Sequence, residues 1–107
     1  MRVLRDECVP RPLKRHLAEH AVSTVTEMGW SGTENGVLLA FIRAEAFDAF
    51  VTVDQGLPYQ QNLQDAVVAA VVLVAHGNRP QDLELLMPAL KEALRTIRRT
   101  ELLRVGA

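Results

Sequence analysis

A chain of 107 residues, 49% hydrophobic and 23% charged, has room for one core and not two, so a single domain over 1–107 is expected. The formal charge of −1 excludes nucleic-acid binding through bulk basicity, and a lone cysteine, Cys8, excludes an intramolecular disulfide and suits a reducing cytoplasm. The longest apolar run, Ala66 to Ala75, is far short of a membrane span, and no secretory leader is read at the N-terminus.

Arg2 to Arg5 reads as a short strand that stops at Asp6-Glu7. Pro10 and Pro12 follow, and proline suits a first helical turn, which places a helix from about Pro12 to Glu19 with Leu13 and Leu17 on one face. The β-branched stretch Ala21 to Thr26 makes a second strand. Met28-Gly29-Trp30-Ser31-Gly32 is a loop. Thr33 is the expected N-cap of a helix from Glu34 to about Ala46, with Leu38, Leu39, Ile42 and Ala46 as its buried stripe.

Phe50 to Val53 is a third strand, again stopping at an acid, Asp54. Residues 55–62 are polar, with Gly56 and Pro58, and read as a loop. Val67 to Val74 is apolar without alternation, the pattern of a central parallel strand buried on both faces. His76-Gly77-Asn78 turns the chain into a helix from about Pro80 to Arg99, which Pro88 should kink or break. Leu102 to Val105 can add a last strand.

This order predicts an α/β fold, a three-layer α/β/α sandwich with a mostly parallel sheet. Right-handed crossovers allow the strand order 2-1-3-4, with strands one and three adjacent where the order reverses. Strand carboxyl ends meet at that point, so Asp6, Glu7 and Asp54 could share one crevice. Clustered carboxylates repel, and a hard cation such as Mg²⁺ or Mn²⁺ relieves the conflict. Bound there, it would polarise a phosphodiester and activate water.

Ten of the twelve basic residues lie near the two ends: Arg2, Arg5, Arg11, Lys14, Arg15, Lys91, Arg95, Arg98, Arg99 and Arg104. If the ends meet in space they form one basic face beside the crevice; otherwise they are solvated helix flanks. Cys8, beside two acids, reads as a packing residue and a poor nucleophile. His16, His20 and His76 are scattered, and His76 alone follows a strand at the active edge. Trp30 and Tyr59 sit in loops that could overhang that edge.

Taken together, Val3 to Pro10, Val22-Ser23-Thr24-Val25, Gly32 to Leu39 and Phe50-Val51-Thr52-Val53-Asp54 resemble the compact PIN-like domain family. These are bacterial relatives of PIN ribonucleases and VapC-type toxins, and the resemblance runs from Arg2 to about Val74. It implies a PIN-like fold, a Mg²⁺ or Mn²⁺ site of clustered acids, and cleavage of single-stranded RNA. Toxin relatives pair with an antitoxin-like protein. Carried over by position, Asp6 and Asp54 bind the metal and act in catalysis; Glu7 is a candidate further metal ligand, and Glu34, displaced by about one position from the family's acid, a candidate catalytic acid. Arg11, Lys14 and Arg15 would hold RNA phosphates.

The sequence departs from the family in two places. Glu34-Asn35-Gly36-Val37 stands where members often read Ser-Asp-Glu-Glu, and Gly56 stands where many carry a further acid. These departures leave open a catalytically weakened module that binds a protein or RNA partner, and a homodimer is equally open. A phosphoacceptor receiver domain, which also clusters acids, lacks its hydroxyl residue at Ala75 and has no lysine after Lys91.

Overall fold

The computed structural model describes residues 1–7, 9, 15, 17–53, 67–75 and 79–106, with only the backbone described for Asn35, Gly36 and Pro80. Five strands form one all-parallel sheet in the order β2-β1-β3-β4-β5: β1 Arg2–Arg5, β2 Ala21–Thr24, β3 Ala49–Thr52, β4 Ala69–Val74 and β5 Leu102–Gly106. Helix α1 (Asn35–Ala44) links β2 to β3. Helices α2 (Pro80–Glu84) and α3 (Met87–Thr96) link β4 to β5. The expected order 2-1-3-4 is observed, with β5 added beyond β4.

Alternation along the strands divides the core between two faces. Val3, Val51, Val71, Leu73 and Val105 pack with Leu83, Leu86, Met87, Leu90 and Leu94 of the α2–α3 region, and with Val9 and Leu17 from the β1–β2 connection. Leu4, Phe50, Ala70 and Val72 pack on the other face with Leu38, Leu39 and Ile42 of α1. β3 and β4 are buried almost throughout, which explains their near-continuous apolar sequence.

The β1–β2 and β4–β5 connections cover the same face but step in opposite directions along the sheet. They therefore have opposite hands. The two connections therefore cannot both be of the usual right-handed kind.

The element ends differ from the sequence reading for local reasons. β2 stops at Thr24, where the hydroxyl accepts the Glu27 N–H at 3.0 Å and starts a turn. β4 begins at Ala69 because Val67 has φ +54°, which no strand allows. The long final helix is two helices, separated at Leu85 and Leu86, with Pro88 in the first turn of α3, where its missing N–H costs nothing. Helix α1 starts at Asn35, so Glu34, not Thr33, is the N-cap, and its side chain makes no capping hydrogen bond. Of the first expected helix, Arg15 and Leu17 lie in a 3₁₀ turn that ends where His20 N–H donates to Leu17 O at 2.9 Å.

The carboxyl edge of the sheet as candidate functional site

β1 and β3 are the strands on either side of the order reversal. Their register pairs Leu4 with Phe50 and Arg5 with Val51. The ladder runs one step further, because Asp6 N–H donates to Val51 O at 2.9 Å. The next residue on β3 is Thr52, fully buried. Its hydroxyl donates to Asp6 Oδ2 at 2.6 Å, and the Glu7 N–H donates to Asp6 Oδ1 at 2.8 Å. Asp6 O in turn accepts the Val9 N–H at 3.0 Å, which turns the chain off the sheet. Among the described residues, each oxygen of the carboxylate thus accepts one donor at the carboxyl edge of the sheet.

A carboxylate offers about four lone-pair directions, so the two donors on Asp6 among the described residues leave capacity for a cation. Hard oxygen donors suit Mg²⁺ or Mn²⁺. Glu7 is exposed beside it, and Glu34 is exposed at the amino end of α1. That helix runs from the end of β2 back to the start of β3, so its amino end lies at the same edge as Asp6. Asp54 lies outside the described residues, as do Arg11, Lys14, Cys8, His16, Tyr59 and His76. Among the described residues, no three His, Cys, Asp or Glu side chains form a group able to hold a metal.

Of the two arrangements open to the basic residues, one face beside the crevice or separate flanks, the described residues do not form the single face. Arg2 and Arg99 lie at the opposite, amino edge: the Arg2 guanidinium donates to Glu45 O and stacks 4.5 Å over the Phe47 ring, while Arg99 pairs with Asp48 at 3.0 Å. Arg5 is buried, 4% exposed, beside Val51 in the sheet. Arg15 is exposed and its guanidinium lies 3.2 Å from Glu84 of α2, an interaction any phosphate would have to displace or share. Parallel strands place every strand start at one edge, so basic residues close in sequence to a strand start cannot reach the carboxyl edge.

Two residues of this edge escaped the sequence reading. Thr52 was read only as part of a strand, and its bond to Asp6 follows from the β1–β3 register. Arg5 broke the apolar alternation of β1, a signal that the position was unusual. Trp30, a loop aromatic, packs with ring centroids 5.3 Å from Phe41 on helix α1 and 6.3 Å from Phe47 just beyond it.

Compared with known proteins, the chain matches no family model, no curated protein and no solved structure. Among the described residues, no helix is long and apolar enough to cross a membrane.

Proposed function

We propose that this chain is a divalent-metal-dependent ribonuclease of PIN-like type, with Asp6 as its first metal ligand. The observation that supports this is the Asp6 carboxylate, held between Thr52 and the Glu7 N–H at the point where the strand order reverses. Open parallel sheets take their ligands at that point. Asp54 and Glu7 complete the metal site in this reading, and Glu34 positions the attacking water. Single-stranded RNA is the substrate, and a toxin role would add an antitoxin-like partner.

The test is the melting temperature with Mn²⁺ against EDTA, in wild type and Asp6→Asn. A ligand that binds only the folded state, at 100-fold above its dissociation constant, adds about 2.7 kcal/mol, or several degrees for this size. The expected result is a shift in wild type that vanishes in Asp6→Asn, followed by Mn²⁺-dependent RNA cleavage. An equal shift in both proteins would overturn Asp6 as a ligand.

One feature favours a second reading, a module that binds a protein partner. Val37, Ala40, Phe41 and Ala44 share a single side of α1 and are all exposed, Val37 at 48% and Phe41 at 38%. Arg43 is the only charge within that helix. Under this reading Mn²⁺ adds little stability, RNA is not cleaved, and Val37→Glu abolishes partner binding. Under the ribonuclease reading it leaves cleavage intact.

A further inference from the structure

We infer that Thr52 is the positioning residue of this site, resting on the metal-site reading above: its hydroxyl sets which Asp6 lone pairs face the cation. An ionised carboxylate can only accept, so the 2.6 Å contact has Thr52 donating and Asp6 Oδ2 accepting. Donor and acceptor sit on neighbouring strands one step past the Arg5–Val51 pair, where the ladder is still held by the Asp6 N–H to Val51 O bond. Both backbones are therefore held together by the sheet ladder. Thr52 is fully buried, so water does not compete for its hydroxyl.

The second restraint is the Glu7 N–H on Oδ1 at 2.8 Å. Donors on both oxygens fix rotation of the carboxylate about its Cβ–Cγ bond, where one donor alone would let it swing. With the plane fixed, the lone pairs that remain point in set directions. A cation then meets an oriented ligand and does not have to order a mobile one. Partners that orient a metal ligand in this way typically contribute 10–100-fold in metal affinity.

β-branched geometry also suits the position. Threonine keeps its χ1 stiff, so the hydroxyl stays aimed at β1 while its methyl packs in the sheet. Serine would keep the donor but lose the methyl. Valine would keep the shape but lose the donor.

The test compares Thr52→Val, Thr52→Ser and wild type by Mn²⁺ titration followed by electron paramagnetic resonance, with unfolding in EDTA measured in parallel. The expected result is about a tenfold loss of Mn²⁺ affinity in Thr52→Val and near wild-type affinity in Thr52→Ser. A purely structural Thr52 predicts the reverse: lower stability in EDTA for Thr52→Val with Mn²⁺ affinity unchanged, and that result overturns the inference. Absence of Mn²⁺ binding in wild type would overturn the metal-site reading itself and this inference with it. The two failures are distinguished by the wild-type titration. Should Thr52→Val fail to fold, Thr52→Ala read against Thr52→Ser makes the same comparison.

Discussion

Asp6 and Asp48 occupy opposite edges of the sheet and are held in contrasting ways. Asp48 stands just before β3 and is completed by the fold. Its Oδ2 accepts the Arg2 N–H at 2.7 Å and its Oδ1 accepts the Arg99 guanidinium at 3.0 Å. Its own backbone joins the strands beside it, with Asp48 N–H on Arg2 O and Ala69 N–H on Asp48 O. The two donors found on Asp6 are a hydroxyl and a backbone N–H, both neutral. One carboxylate spends its charge inside the molecule; the other is oriented, among the described residues, by neutral donors alone. Orientation without neutralisation marks the candidate site, and neutralisation marks the clasp.

That contrast breaks most directly through substitution at each aspartate in EDTA. Asp48→Asn should cost about 1–2 kcal/mol, since it weakens a charge-assisted contact to Arg99 on a partly exposed carboxylate. Asp6→Asn should cost less, because the donors that Asp6 accepts among the described residues are neutral. Chemical denaturation of both variants measures this. A larger loss for Asp6→Asn would make Asp6 a strut and dissolve the distinction.

Acid sharpens the same comparison with a smaller effect. The Arg2 backbone N–H, followed by Arg99 and the nearby amino terminus, holds the Asp48 carboxyl below its ordinary value of 3.8, against the opposing push of burial. As pH falls, the unfolded chain takes up this proton before the folded one does. Asp48 therefore contributes fully above about pH 5, and its contribution fades as the pH drops below about 4. Melting temperatures of wild type and Asp48→Asn should converge over that range. Curves that stay parallel would show that Asp48 does not supply the dependence.

The same two edges show how far the sequence can be read. Strand existence was legible wherever burial on both faces forced an unbroken apolar run, as at Val71 to Leu73 in β4. Asp6 as a strand-end acid was legible for the same reason, since β1 is too short for it to lie anywhere else. The Thr52–Asp6 bond was not, because the pairing of Arg5 with Val51 is a property of two strands and is written in neither. The placement of the basic residues stayed open in the sequence because closeness to the chain ends says nothing about which edge a side chain reaches. Arg99 follows α3, which returns the chain to the amino edge, and there it meets Asp48.

The amino edge, although built for stability, carries strained residues just before β3, β4 and β5, at Ala46, Val67 and Thr100, and relieving the first gives the smallest expected effect. Helix α1 ends with Ala46 N–H on Arg43 O at 3.0 Å and Phe47 N–H on Ile42 O at 3.2 Å, the paired bonds of a Schellman cap. That cap places Ala46 at φ +56°, in the left-handed region where a Cβ crowds the following carbonyl. Phe47 and Ile42, brought together by the cap, are both buried in the α1 core, so the chain cannot relax away from this geometry. Ala46→Gly removes the crowding, at the expense of a more flexible unfolded chain. Crowding is worth about 1–2 kcal/mol and the added unfolded-state entropy about 0.5–1, so a net gain of about 0.5 kcal/mol is expected. Thermal unfolding should show a rise of a few degrees, with Mn²⁺ binding at the far edge unchanged. A fall in stability would mean that the cap is not formed as described, and with it the approach of α1 to Asp48 at the start of β3.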